Sequence, residues 1–150
     1  MIFREAAPKD IPQLQYIRSA VKENILSNPD LVRYDDYTKY LFSRGKGWVC
    51  EAGNQLVGFA IADLEANNIW ALFVLPGYEG KGIARTLQRL MLHWYFVQGK
   101  TSVWLSTSPG TRADQFYRKS GWTYTGPYGK NEIRFEMSSE QWKEFRKNFS

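Results

Sequence analysis

The stretch LFVLPGYEGKGIARTLQRLM, residues 72–91, decides the fold of this chain. The apolar run over 69–75 lacks alternation, which predicts a central strand covered on both faces. Three glycines then predict a tight loop, and apolar residues at helical spacing predict a helix over 82–96. Closely spaced glycines and a helix N-terminus turn backbone N–H groups toward one point, so phosphate binding is their natural use. A plain strand–helix turn is the alternative.

Helical and strand signals alternate on either side of this junction. Apolar spacing predicts further helices over 11–26, 34–43, 111–120 and 138–148. Strands are predicted over 1–5, 47–52, 55–62, 101–106, 122–125 and 132–137. No repeat or linker interrupts the sequence, so we expect one domain over 1–150. The pattern predicts an α/β (or α+β) fold with a mixed central sheet of about six to seven strands and helices on both faces.

Positive charge is concentrated in one part of the chain. The formal net charge is +5, and residues 79–119 alone hold seven Lys or Arg against two Asp or Glu. This placement favours a local site for an anionic ligand over a surface that coats a polyanion. A nucleic-acid binder is therefore the weakest of the functional hypotheses, since the aromatic residues also lie at core spacings.

Other classes of protein are excluded by composition. A single cysteine, Cys50, and a single histidine, His93, cannot build a disulfide framework or a zinc site, so we expect no metal. No apolar run approaches the roughly 18 residues that span a membrane. The opening MIFREAAPKD lacks the apolar segment of a signal peptide, so we expect a cytoplasmic protein without a membrane partner.

Two motifs resemble those of the GNAT superfamily of acyl-CoA-dependent N-acetyltransferases. The family's pyrophosphate loop, Q/R-x-x-G-x-G/A after a strand ending V-x-P, is similar to EGKGIA after Val74-Leu75-Pro76, with Glu79 in the place of the usual Gln or Arg. The family segment A-x-x-F-Y-x-x-x-G-F/W is matched by Ala113, Phe116, Tyr117, Gly121 and Trp122. Gly110 stands where the family usually has Asn. The resemblance covers essentially the whole chain, including Val57-Gly58-Phe59.

The resemblance implies that acetyl-CoA is the cofactor and assigns residues to it. Backbone groups of Leu72, Phe73 and Val74 would hold it, with an N–H near Val74 facing the developing oxyanion. The remaining cofactor contacts would come from the loop and the start of the helix: Glu79, Gly80, Lys81, Gly82, Ile83, Ala84 and Arg85. Tyr117 resembles the family's general acid, which protonates the leaving thiolate and also contacts the cofactor.

The general base is not identified by the resemblance, because Trp70 occupies the position where many relatives have Glu. Asp63 and Glu65, at the end of the preceding strand, are the nearest acidic candidates, and Glu132 is a more distant one. Each is also explained as a solvated carboxylate at a strand end, and a water chain could replace a protein base. Helical spacing predicts that His93 lies at the surface, and Cys50 is predicted to be a small core residue.

The sequence therefore predicts an N-acetyltransferase that moves an acetyl group directly from acetyl-CoA to a primary amine on a small molecule or peptide. The alternative is a non-catalytic acyl-CoA-binding or interaction module on the same fold. A segment containing Tyr34, Asp35, Asp36, Tyr37 and Tyr40 suggests a cationic amine acceptor, although a solvated helix with an aromatic inner edge explains it equally well. The oligomeric state is open, with a homodimer as one option.

Overall fold

The computed structural model describes residues 1–21 and 32–149. The first strand and helix are β1 (Ile2–Glu5) and α1 (Ile11–Ala20), and α2 (Tyr34–Thr38) continues into a π-helical turn, Lys39–Ser43. The elements that follow are β2 (Gly45–Ala52), β3 (Gln55–Asp63), β4 (Asn68–Val74), α3 (Ile83–Val97), β5 (Ser102–Thr107), α4 (Arg112–Lys119), β6 (Thr123–Tyr128), β7 (Glu132–Ser138) and α5 (Ser139–Arg146). The chain divides into two compact units, residues 1–93 and 94–150. The single domain over 1–150 stays a prediction.

The first unit is built on an antiparallel meander in which β1, β2, β3 and β4 pair in chain order. Gly53 adopts a positive φ of 65° in the turn between β2 and β3, a conformation that favours glycine. Almost all of β3 is buried, and α1 contributes Ile11, Leu14 and Ile17, each with no exposed surface. The predicted helix over 11–26 is confirmed as far as Ala20. It is wrong at Val21, whose extended backbone (ψ 97°) ends the helix, and residues 22–26 lie outside the described part of the chain.

Strand β4 differs from its prediction. Ile69 and Ala71 are buried, but Trp70 and the last three residues, Leu72 to Val74, are only half-buried. The expectation that both faces are covered is therefore wrong for this strand. An apolar run shows that the side chains are hydrophobic, but it does not show which other groups cover them. The β3–β4 pairing steps from Ile69 to Ala71 and leaves Trp70 as a bulge residue. Bulges of this kind redirect side chains near functional sites.

Gly58 on β3 sets how closely α3 approaches the sheet of the first unit. A Cβ atom at this position would lie 2.9 Å from Ile83 Cγ2 and 3.2 Å from Leu87 Cδ1. The missing side chain lets the first turns of α3 pack directly on the strand, and both Ile83 and Leu87 are almost fully buried. The start of α3 is thus held by core packing.

The second unit contains an antiparallel sheet in the order β5, β7, β6. Thr111 Oγ1 accepts a hydrogen bond from Asp114 N at the start of α4, and Ser138 forms a capping box with Gln141 at the start of α5. Gly121 follows α4 with a φ of 83°, as predicted for a helix C-cap. Phe135, Met137 and Trp142 form part of the core. Along the described ranges, every helix is too short or too polar to cross a bilayer.

Candidate functional site

The loop between β4 and α3 is shaped by glycines. Gly77, Gly80 and Gly82 have φ angles of 97°, 75° and 81°. Apart from the adjoining residues, no described atom lies within 4 Å of the position that a Cβ would take at Gly77 or Gly82. The loop therefore presents its backbone to open space, where another molecule can approach closely.

Glu79 closes this loop on itself. Its Oε1 accepts a hydrogen bond from the Gly77 N–H at 2.7 Å. The side-chain oxygen of a Gln at this position could accept the same hydrogen bond. Glu79 can therefore make the loop contact that the Gln of the GNAT motif would make. The replacement leaves a negative charge beside a loop whose other charged residue, Lys81, is positive.

Helix α3 adds the electrostatic part of this site. It has 15 residues, and its first turn contains no acidic side chain. The first N–H groups of a helix have no partner within it and carry a partial positive charge, which is attractive to anions. Arg85 lies exposed in this turn, while Ile83 beneath it is 2% exposed. Loop and helix together fit a phosphate group, and their residues are those the resemblance assigns to the cofactor.

The end of β4 supplies a half-exposed apolar edge beside the loop. Leu72, Phe73 and Val74 pair with Ala60, Phe59 and Gly58 of β3. The Phe73 ring packs against the Phe59 ring with 5.6 Å between centroids. Unless another group covers them, side chains in these positions expose apolar surface to water. The cofactor residues predicted on β4 and the loop thus belong to consecutive segments of the first unit.

An aromatic cluster surrounds Trp70, the bulge residue of β4. Its ring stacks on Tyr40 at 4.4 Å with an interplanar angle of 16°, and it meets the edge of Tyr37 at 5.2 Å. Tyr37 also contacts Phe59 at 6.2 Å. The acidic residue usual in relatives is therefore replaced by one member of an aromatic wall, and Trp70 has no group that could accept a proton.

Arg18 on α1 packs against the same wall. Its guanidinium carbon lies 5.4 Å from the centre of the Trp70 ring and 4.9 Å from the centre of the Phe73 ring. Such contacts are favourable for a cation on an aromatic face. The sequence interpretation missed Arg18, although a signal was present: Arg18 falls four residues after Leu14 and seven after Ile11, on the apolar stripe of the helix.

The two acidic candidates for the general base form ion pairs with one arginine. Arg44 Nη2 lies 2.7 Å from Asp63 Oδ2, and Arg44 Nε lies 3.1 Å from Glu65 Oε2. Asp63 is 1% exposed, and its Oδ1 also accepts the Glu65 N–H at 2.9 Å. This geometry gives Asp63 a structural role, and the catalytic role of either carboxylate stays a prediction.

The acidic residues of α2 are also partly occupied. Asp36 Oδ2 accepts the Arg33 N–H at 2.8 Å and so caps the helix, while Asp35 is exposed. Tyr34 is 47% exposed, in contrast to Tyr37 at 1%. The residues expected to border an acceptor site therefore have two different roles. Tyr37 and Tyr40 join the Trp70 cluster, and Asp36 stabilises the start of α2.

Tyr117 lies on α4 in the second unit, where it is 6% exposed. Its ring contacts Trp122 at 5.6 Å and Phe135 at 5.9 Å. Burial raises the pKa of the Tyr117 hydroxyl well above its ordinary value. The hydroxyl is therefore protonated throughout the neutral pH range, as an ordinary tyrosine is, so the shift by itself does not mark a catalytic role.

The remaining candidates lie as follows. Glu132 accepts a hydrogen bond from Ser106 Oγ at 2.8 Å. His93 is exposed and Cys50 is fully buried in β2, so both placements predicted for these residues are confirmed. Burial raises the pKa of the Cys50 thiol, which makes it a poor nucleophile.

Comparisons with known proteins bear on the family and the fold. The sequence model of the acetyltransferase (GNAT) family matches residues 12–122, across both units. N-acetyltransferase 8B of Rattus norvegicus is 33% identical over 129 residues, which is 79% of this chain and 58% of that protein. N-acetyltransferase 8F1 of the same organism is 38% identical over 82 residues, 49% of this chain and 37% of that protein. This chain thus spans 37 to 58% of the length of the curated relatives that it matches.

A solved structure shows the same fold. The PaiA N-acetyltransferase of Thermoplasma acidophilum, solved in complex with coenzyme A, is similar with a TM-score of 0.70 at 16% identity, over 91% of this chain and 98% of that one. The predicted α/β fold is confirmed by this likeness. Since the family model covers most of the sequence, the chain belongs to the GNAT family of acetyltransferases.

Proposed function

We propose that the protein transfers an acetyl group from acetyl-CoA directly to a primary amine of a small molecule or peptide. The observation that carries the proposal is the glycine loop at residues 77–82, which opens onto the N-terminus of α3 beside the half-exposed end of β4. This arrangement offers donors for phosphate next to an apolar edge. Family membership supports the transfer of an acetyl group.

Residues of the loop, of the start of α3 and of the end of β4 are proposed to bind different parts of the cofactor. Backbone N–H groups of Glu79 to Ala84 would hold phosphate, and Lys81 and Arg85 would add positive charge. Backbone groups of Leu72, Phe73 and Val74 would align the acyl end, with an N–H near Val74 stabilising negative charge on the carbonyl oxygen. The bound cofactor supplies an acetyl thioester, whose carbonyl carbon the amine attacks.

Tyr117 is proposed as the general acid. Its hydroxyl is protonated at neutral pH and would give that proton to the thiolate as the carbon–sulfur bond breaks. Trp70 cannot take a proton from the amine, and Asp63 is engaged by Arg44. Water that leads to bulk solvent is therefore proposed to receive that proton, with Glu65 as the more exposed of the two candidate carboxylates, at 65% side-chain exposure.

The test combines binding and turnover. Coenzyme A should raise the melting temperature of the protein, and a panel of primary amines with acetyl-CoA should release thiol. Tyr117→Phe should lower kcat by about 100-fold, because general acids typically contribute that much, and should leave the CoA-induced thermal shift unchanged. Tyr16→Phe, at a residue 63% exposed on α1, is the matched control and should behave as wild type. The proposal fails if coenzyme A produces no thermal shift.

A non-catalytic acyl-CoA-binding module is the second candidate, favoured by Trp70 in the place of the usual Glu. It predicts the same thermal shift without thiol release from any amine. Release of thiol that depends on the amine excludes it.

A further inference from the structure

Arg18 differs from the other half-buried arginines of residues 1–21 and 32–149. There are four of these: Arg4, Arg18, Arg44 and Arg134. Three form ion pairs, with Asp10, Asp63 and Glu136 respectively. Arg18 has no carboxylate partner among the described residues. A charge withdrawn from water is expected to have a partner, and residues 1–21 and 32–149 supply no carboxylate for this one.

Tyr37 provides a second unsatisfied group beside Arg18. Its side chain is 1% exposed. Burial raises the pKa of Tyr37 to about 12, and the nearby charge of Arg18 opposes that rise. Yet neither Tyr37 Oη nor Arg18 Nη1 has a partner at hydrogen-bond geometry within the described part of the chain. An interaction with Arg18 partly offsets the burial-driven rise in the pKa of Tyr37, but buried polar atoms without a partner at full hydrogen-bond geometry are rare in folded proteins.

The position of these groups connects them with the proposed reaction. The Arg18 guanidinium packs on Trp70 and Phe73, two residues of β4, and Phe73 belongs to the segment proposed to align the acyl end. Aromatic walls on β4 exclude water, and a hydrogen bond between opposite charges is stronger where water is excluded. A ligand anion bound here would therefore lie near the reacting end of the site.

We propose that Arg18 binds a carboxylate of the acceptor, so that the substrate is an amino acid in the broad sense: an amine that also carries a carboxylate. This assignment rests on the proposed acetyl transfer. A carboxylate offers two oxygens to the planar guanidinium of Arg18, whose side chain is half-exposed, and its negative charge matches a cation that has no carboxylate partner in residues 1–21 and 32–149. The Trp70 and Tyr40 rings favour an apolar or aromatic side chain on that amino acid.

The assignment also modifies the expectation of a purely cationic acceptor. That expectation came from Asp35 and Asp36, but Asp36 caps α2 and Asp35 is exposed. The uncompensated charge at the β4 cluster is positive. An acceptor with both an ammonium and a carboxylate group remains compatible with an amine substrate and satisfies Arg18.

Turnover is measured on matched pairs that differ only in the carboxylate: phenylalanine with phenethylamine, tryptophan with tryptamine, and leucine with isopentylamine. The wild type should favour each amino acid in kcat/KM by roughly 10- to 100-fold, the usual range for a hydrogen bond to a charged group. Arg18→Met should abolish that preference and Arg18→Lys should restore part of it. Arg146→Met, at an exposed residue of α5, is the control and should keep the wild-type preference.

Binding is measured separately by titrating N-acetylphenylalanine and its uncharged amide into the free protein. The carboxylate should bind more tightly to wild type, and Arg18→Met should remove the difference. Carboxylate-selective binding without turnover supports the Arg18 site and rejects acetyl transfer. Turnover with no preference for the carboxylate, or a preference that Arg18→Met leaves intact, overturns the Arg18 site and keeps acetyl transfer. Absence of both selective binding and turnover overturns both proposals.

Discussion

Arg44 and Arg18 occupy similar surroundings in the first unit but differ in whether a carboxylate pairs with them. The Arg44 guanidinium lies 5.2 Å from the centre of the Tyr40 ring, and the Arg18 guanidinium lies 5.4 Å from the ring of Trp70, on which Tyr40 stacks. Arg44, however, holds Asp63 through two hydrogen bonds of 3.1 and 2.7 Å. Arg18 has no such carboxylate within the described ranges.

The difference distinguishes an arginine that stabilises the fold from an arginine that is proposed to bind a ligand. Asp63 is nearly inaccessible, so it needs Arg44, and their hydrogen bonds raise the pKa of Arg44. The pair is satisfied within the chain and requires no ligand. Arg18 has no carboxylate partner within residues 1–21 and 32–149, and in the proposal a ligand carboxylate supplies that negative charge. Removal of the Arg44 charge should therefore lower stability, whereas removal of the Arg18 charge should weaken ligand binding and leave stability nearly unchanged.

Arg44→Met should have the largest effect on stability. It leaves the Asp63 carboxylate buried without its cation, and we expect a fall in melting temperature of roughly 5–10 °C. Thermal unfolding followed by circular dichroism provides the measurement. Recovery in Arg44→Met/Asp63→Leu, which removes both charges, would show that the uncompensated carboxylate is the cause; no loss in the single variant would contradict the structural role of the pair.

Asp63→Asn separates this role from catalysis. An amide at this position keeps one oxygen for Arg44 but cannot act as a base. If Asp63 serves only as a structural partner, kcat should stay within about twofold of wild type once the variant is folded, as expected when no proton-transfer group is lost. A fall of about 100-fold in kcat at unchanged melting temperature would establish Asp63 as the base.

Arg18→Met should have a much smaller effect on stability, in contrast to Arg44→Met. The substitution keeps the apolar stem against Trp70 and Phe73 and removes a charge that has no carboxylate partner in the described part of the chain, so we expect a change in melting temperature below about 2 °C. The same thermal unfolding measurement applies. A loss as large as that of Arg44→Met would mean that Arg18 supports the fold and would remove the basis of the comparison.

The sequence predicted the family and the main elements because their signals are local. The glycines of residues 77–82 and the apolar stripe of α3 lie within a few residues of one another, and each constrains the backbone at its own position. The α/β fold and membership in the GNAT family are confirmed. The roles assigned to the loop and to Tyr117 stay predictions.

The Arg18 cluster could not be predicted in the same way. It joins α1 to β4, which lie about 50 residues apart in sequence, and only tertiary packing brings them together. The apolar run of β4 likewise predicted a strand covered on both faces, whereas its last three residues are half-exposed. Side-chain chemistry shows that a residue avoids water, but not whether protein or ligand covers it.

Tyr37→Phe should have the smallest effect on stability and tests the unsatisfied pair directly. The Tyr37 hydroxyl lacks a partner among the described residues, so its removal should change the free energy of unfolding by less than about 0.5 kcal/mol. Tyr95→Phe is the matched control, because the buried Tyr95 hydroxyl donates to the Ser102 carbonyl at 2.7 Å and its loss should destabilise by about 1–2 kcal/mol. Urea unfolding measures both. If the two variants lose the same stability, the Tyr37 hydroxyl has a partner inside the folded chain.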